Sequence, residues 1–318
     1  MKSKFLIGSV ALAAAIGLSA CSVPGSVNSG TQNSDSTAGK EAQVQQASSA
    51  LLASIQPDPK LQAMLPPEYK GKKLAVGSNL QMPPNGYLAA DSKTPIGYEI
   101  DLVTAAAKKL GLEVEIKNMV FNAIITSLET KRVDLTISGM NDNKTRQEKI
   151  DLVDYFNSGQ KFLVQKGNPE NINSTDGLCG KTVGANVGGA SADWVLKIAS
   201  PACVAKGKGA IKVNTSEIQA QMFNDLKTGR NDAVVDDLPY LTYVASTSGG
   251  GNDFQLADNE LIDPVPYGMG FNKKDPQLRD AFQAALQQMI DDGTYGKVLD
   301  NWQVTAGART EATLNGGS

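Results

Sequence analysis

The sequence predicts an α/β protein of two similar lobes, each a mostly parallel sheet flanked by helices. Three observations carry this. Short β-rich runs alternate with helix-period runs from Lys73 to Lys131, as in strands joined by helical crossovers. Leu, Thr, Arg and Asp of Leu128–Ser138 recur in Leu226–Asp236 at a constant offset of 98 residues. Leu74-Ala-Val-Gly77 and Lys181-Thr-Val-Gly184 each open a strand before a loop. A chance recurrence in so few positions is the alternative.

In chain order, residues 1–20 have a basic start, a short apolar core and small residues at the end, the pattern of a secretory signal. Leu18-Ser-Ala-Cys21 resembles the bacterial lipobox. That implies cleavage before Cys21, lipid on its sulfur and an extracytoplasmic chain held at the cell membrane; ordinary secretion with a free Cys21 is the alternative. No later run is long and apolar enough to span a bilayer. Residues 22–50 are Ser, Gly, Asn, Thr, Gln and Ala with few large apolar groups, so 21–71 is expected to be a flexible tether and lead-in. Residues 304–318 are expected to be a flexible tail.

The net charge is −3. Removing Lys2 and Lys4 with the signal leaves 28 basic against 33 acidic groups, which argues against nucleic acid as partner. With Cys21 on lipid, Cys179 and Cys203 are an even pair in an oxidising compartment, so a disulfide is expected, with two reactive thiols as the alternative. The chain has no histidine, which excludes His-dependent triads and His-ligated metal sites. Neither a cofactor nor a metal is expected.

Lys73–Gly77 reads as a buried strand, followed by the turn-rich loop Ser78–Gly86. Ile100–Leu110 is a helix with one apolar face, ended by Gly111. Val114–Ile116 is a second strand and Asn122–Lys131 a second helix. Val133–Ser138 is the next strand, and Thr145–Glu148 fits a capping box opening a helix that carries Arg146. Ligands of open α/β sheets sit outside the carboxyl ends of strands, where a helix start and a guanidinium fork suit a carboxylate. Taken alone, Arg146 reads first as a solvated surface residue. The offset repeat makes Gly139 and Asp237 equivalent strand ends, setting an acidic corner opposite the anion corner. Val183–Ser191 is a strand running into a Gly-rich turn and a helix to about Ile198; Gly188 and Gly189 let backbone approach a ligand. Pro276–Ile290 is an amphipathic helix. Thr294 caps a last helix through Trp302, whose Trp302 and Tyr295 read as structural.

Together, Pro95-Ile-Gly-Tyr-Glu-Ile-Asp-Leu102, Ser138–Arg146, Ile150–Phe156, Gly229–Pro239 and Asp292–Trp302 resemble a family 3 extracellular solute-binding protein of an amino-acid ABC transporter, over about 72–303. The Cys179 and Cys203 pair is similar to one found in lipid-anchored members. The resemblance implies a two-lobed, type II periplasmic-binding-protein-like fold. Lobe 1 would span 72–158 and 271–303 and lobe 2 would span 162–263, joined by crossovers near Ser158–Lys161 and Pro264–Gly270. It also implies site roles. Arg146 would bind a ligand α-carboxylate, helped by backbone near Gly139 and Asn141 and by the turn at Gly189–Ala190. Asp237 would take the α-ammonium, with Asp236 as the other candidate, and Phe121 would stack on the ligand.

The chain departs from the family pattern around the ligand side chain. Asn79 and Met82 stand where an aspartate and an aromatic are common, and Asn85-Gly86 where Phe and an acidic residue are common. Gly189-Ala190 replaces two threonines, and Asn141 a hydroxyl. Specificity is therefore expected around Asn79, Met82, Asn85 and Phe121, with a charge that helps hold cationic side chains missing at Asn79. The expected function is to bind a small zwitterion, a polar amino acid or derivative, and deliver it as a monomer to a membrane permease. A ligand-presenting sensor subunit, or a dehydratase-type enzyme on the same fold, is the alternative.

Overall fold

The computed structural model describes residues 37–318. The expected signal, Cys21 and the first part of the expected tether lie outside the described residues.

Helix α1 (Thr37–Ser54) and α2 (Pro59–Met64) precede strand β1 (Lys73–Ser78). A small antiparallel sheet follows, of β2 (Gln81–Met82), β3 (Gly86–Leu88) and β4 (Pro95–Ile96). Next come α3 (Tyr98–Lys109), β5 (Glu113–Asn118), α4 (Ile124–Glu129), β6 (Leu135–Thr136), the single turn α5 (Lys144–Gln147) and the long β7 (Ile150–Gln165). The second half holds β8 (Thr182–Asn186), α6 (Ala190–Trp194), α7 (Ser200–Ala205), β9 (Lys212–Ser216), α8 (Gln219–Lys227), β10 (Ala233–Asp237), α9 (Leu238–Thr247) and β11 (Phe254–Leu256). The return strand β12 (Ile262–Asn272), α10 (Pro276–Asp291) and α11 (Thr294–Asn301) follow.

These elements form where the residue patterns place them. Helix α3 turns Leu102, Val103 and Ala106 into the core and stops at Gly111, whose φ of +70° suits the left-handed turn that lets Leu112 N–H reach Ala107 O. Strand β1 pairs in parallel with β5 and β6, and β8 pairs in parallel with β9 and β10. The orders β5-β1-β6 and β9-β8-β10 are the same, so the 98-residue offset is a repeat of topology as well as of letters.

The halves share one sheet, ordered β5-β1-β6-β12-β7-β10-β8-β9, with β11 on β7. The crossovers expected near Ser158–Lys161 and Pro264–Gly270 are stretches of β7 and β12, paired antiparallel from Ile150↔Asn272 to Ser158↔Val265 and Gln160↔Ile262. A core of Leu74, Val76, Leu102, Phe271 and Phe282 fills the first lobe. Phe162, Val183, Trp194 and Val235 fill one side of the second lobe, and Met222, Leu226, Val234 and Tyr240 the other.

Both terminal expectations are corrected. Residues 37–54 are a helix, not tether, because Val44, Leu51, Leu52 and Ile55 fall on one face and pack against the first-lobe core. Sparse apolar residues suffice when their spacing is helical. The expected tail is docked: Leu314 bridges Val153, Asn315 N–H donates to Leu152 O at 2.8 Å, and Gly317 N–H donates to Asp142 Oδ2 at 2.8 Å. Backbone hydrogen bonds to a strand edge need no large side chains. At α11, Gly293 with φ +78° is the cap rather than Thr294. Trp302 donates to Asp101 Oδ2 at 2.7 Å and Tyr295 to Tyr155 O at 2.8 Å, both structural contacts.

Cys179 and Cys203 form a disulfide with Cα atoms 5.5 Å apart, fastening α7 to the turn before β8. It closes a loop of sequence separation 24, so reduction is expected to cost about 3 kcal/mol of folding stability. Urea unfolding with and without reductant measures this; coincident curves would show that the bridge carries none of the stability.

Candidate ligand-binding cleft

Parallel pairing ends β1 and β6 side by side, and the loops leaving them form the first-lobe wall. Asn79 N–H donates to Ser138 Oγ at 2.9 Å, joining the two loops. Gly139 then turns with φ +55°, and a Cβ there would stand 3.0 Å from Asn85 Nδ2; both facts call for glycine. Its N–H donates to Glu99 Oε1 at 2.8 Å, which also accepts from Tyr155 OH at 2.6 Å and Asn85 Nδ2 at 3.0 Å. One buried carboxylate oxygen thus holds the Gly139 loop, the β2–β3 hairpin and β7 together. Burial pushes Glu99 up to about 7, against the pull of its three donors and with help from the Asp237 charge.

Arg146 lies in α5. The helix cap is Asn143, whose Oδ1 accepts Arg146 N–H at 3.0 Å, and not the expected Thr145 box. An Asx acceptor ahead of a single turn leaves Thr145 inside it. Arg146 is 7% exposed, and its guanidinium carbon lies 5.4 Å from the Phe121 ring centroid. Nη1 donates to Asn141 O at 2.8 Å and Nη2 to Gly188 O at 3.3 Å in the second lobe. A guanidinium has five N–H donors, so capacity for a carboxylate remains. Burial lowers its pKa, opposed first by the charge of Asp237.

On the second-lobe wall, β10 ends in Asp236 and Asp237, each 5% exposed. Strand alternation sends them to opposite faces: Val235 shares the Asp237 side with Trp194, whereas Val234 shares the Asp236 side with Met222 and Tyr240. Asp237 lies by Tyr267, Asn141 and Arg146, which lower its pKa, while burial prevails and lifts it to about 6. Asp236 Oδ1 accepts Asp237 N–H at 2.8 Å, and burial with the Asp237 charge pushes Asp236 up to about 8. The structure therefore puts Asp237, not Asp236, beside Arg146.

The lobes touch across this cleft. Besides Arg146 on Gly188, Gln219 N–H donates to Gln81 Oε1 at 3.2 Å and Asn122 Nδ2 to Glu217 Oε1 at 2.9 Å. Gly188, with φ +71°, brings backbone close to Asn122. Gly189 caps α6 and gives its N–H to Asn186 O at 3.0 Å, so the turn meets Arg146 through the Gly188 carbonyl. Met82 packs with Met222 and Tyr240 of the second lobe, and Asn85 spends its amide N–H on Glu99. Buried polar atoms without hydrogen-bond partners gather at the cleft: both carboxamide atoms of Asn79 and Gln219, Asn186 Oδ1 and Asp236 Oδ2. Each would cost about 1–3 kcal/mol if left unsatisfied, so the cleft suits a polar guest.

Residues 74–305 match the family model for bacterial extracellular solute-binding proteins, family 3. The chain belongs to that family. The arginine-binding protein ArgT of Corynebacterium glutamicum is 30% identical to this family 3 protein over 260 residues, covering 81% of this chain and 84% of the relative. The L-cystine-binding protein TcyJ of Escherichia coli K12 is 29% identical over 231 residues, covering 72% and 82%. Among solved structures, an ancestral arginine-binding protein bound to arginine superposes with a TM-score of 0.65 at 35% identity, covering 72% of this chain and 97% of that one.

Glu99, Tyr155 and Tyr267 of this family 3 protein escaped sequence reasoning. Tyr267 lies in β12 beside Asp237, and Asn141 bridges to it. The sequence signal for Glu99 is an acidic residue between Tyr98 and Ile100 at a helix start; the structure buries all three.

Proposed function

We propose that this protein binds a free α-amino acid between its lobes for import. Arg146 takes the carboxylate with backbone at Asn141 and Ala190, since the Gly139 and Gly189 N–H groups are already held by Glu99 and by Asn186 O; Asp237 takes the ammonium, and Phe121 stacks on the ligand. One observation carries this reading: Arg146 from the first lobe and Asp237 from the second are buried and electrostatically coupled across the closed cleft. The arginine- and cystine-binding relatives support it. A ligand bridging the two walls makes more contacts when they meet, and only that difference in affinity shifts an open–closed equilibrium. The closed monomer, anchored outside the cytoplasm through lipid on Cys21, hands its ligand to an ABC permease.

Thermal shift against the proteinogenic amino acids tests the binding. A true ligand at about 100 times its dissociation constant adds roughly 2.7 kcal/mol of stability. No response to any α-amino acid would end this reading.

A further inference from the structure

Asp236 has no part in the clamp just described, yet it is buried at the same strand end. It faces the other side of β10, the side covered by α8. Met222 and Leu226 of α8 pack in one cluster with Val234. The helix runs antiparallel to the strand it precedes, as in any such crossover unit. Moving one turn back along α8 from Met222 therefore reaches Gln219, while moving two residues on from Val234 reaches Asp236. The two side chains belong to the same end of the same layer. The first-lobe loop closes over it: Met82 joins that cluster, and Gln81 Oε1 accepts Gln219 N–H at 3.2 Å.

The chemistry of this corner is unbalanced. Asp236 Oδ2 and both carboxamide atoms of Gln219 are buried without hydrogen-bond partners, with Gln219 only 1% exposed. Lys161, the cross-strand neighbour of Asp236, turns its Nζ to the Asn259 carbonyl instead. Burial holds the Asp236 carboxyl largely protonated near neutral pH in the ligand-free protein, and its ionised form would need a cation beside it. A zwitterion held by Arg146 and Asp237 leaves Asp236 Oδ2 and the Gln219 carboxamide still without partners. A buried carboxylate is tolerable when paired and hydrogen-bonded, so a second cation on the ligand would complete the corner.

We propose that Asp236 and the Gln219 carboxamide form a second subsite, separate from the α-ammonium position at Asp237, for a cationic group at the end of the ligand side chain, a guanidinium or an ammonium. This rests on the α-amino-acid reading of Arg146 and Asp237. It moves the charge that is missing at Asn79 from the first lobe to the second.

Calorimetry with arginine and citrulline, whose neutral ureido group has nearly the shape of guanidinium, tests this on the unmodified protein and on Asp236→Asn. Arginine is expected to bind the unmodified protein at least tenfold tighter than citrulline, and Asp236→Asn is expected to abolish the preference while retaining citrulline binding. Equal binding of the two by the unmodified protein, or an undiminished preference in Asp236→Asn, overturns the subsite and leaves the α-amino-acid clamp standing. Binding of neither, with no other amino acid bound, overturns the clamp and the subsite together. Lysine against norleucine gives the same comparison for an ammonium.

Discussion

Arg146→Ala is expected to weaken amino-acid binding by about 30-fold to several thousand-fold, because truncating one partner of a buried charge pair costs about 2–5 kcal/mol. The loss has two sources. The ligand carboxylate forfeits its planar fork, and Asp237, whose pKa Arg146 helps to hold down, protonates more readily and becomes a poorer partner for the ammonium. Arg146→Lys separates them: it restores a charge without the fork, so it should recover part of the affinity. Calorimetry on properly folded protein measures both variants, and a loss below fivefold in Arg146→Ala would remove the carboxylate from Arg146. The variant also loses the direct tie from Arg146 to Gly188 O, so its ligand-free form should favour open lobes.

The ligand-free protein is expected to lose stability as pH rises from about 5 to 8. Asp237 is lifted to about 6, Glu99 to about 7 and Asp236 to about 8, and Asp154, beside Asp142 under the docked carboxyl end, to about 7. Each folded value lies above the ordinary carboxylate range, so the folded state holds these protons more tightly than the unfolded chain does. The resulting stabilisation is complete at pH values below the unfolded pKa and disappears as pH climbs through the folded values. Carboxylates with lowered pKa act elsewhere: Asp91, held near 2 by the Thr94 side chain, loses its contribution only in strong acid. Ligand should reverse the trend. An ammonium needs Asp237 ionised, so affinity rises with pH across the same window. Urea unfolding at half-unit steps, with and without ligand, reads both slopes; stability of the ligand-free protein that is flat or rising over this range would contradict the buried-carboxylate picture.

The strands, the main helices and the paired strand ends were legible because their signals are local: apolar period, a glycine stop, a repeated helix-to-strand junction. That Arg146 and Asp237 face one another was legible through the family pattern and the offset. What stayed hidden depended on partners remote in the chain. Glu99 earns its place through Tyr155 and the Gly139 backbone, which no spacing reveals. Asn85 was read as a specificity residue, and the sequence did not show that its amide N–H also serves Glu99. Asp236 was read as a rival of Asp237, although alternation along β10 gives the two different neighbours. At the ends, composition suggested loose chain. The spacing of Val44, Leu51, Leu52 and Ile55 and the backbone pairing of Asn315 had more to say.

The paired crossing of β7 and β12 bears on how the cleft can move. Two free linkers would let the walls swing in any direction. A hydrogen-bonded ribbon is stiff to sideways bending and compliant to twist, so it selects one mode of motion. Its ladder slips register between Ile262 and Val265 and again between Tyr267 and Gly268, and such irregularities concentrate local twist. The second slip adjoins Tyr267, which lies next to Asp237. The point where the ribbon winds is thus also a wall of the cleft, and whatever settles against Asp237 bears directly on the torsion axis.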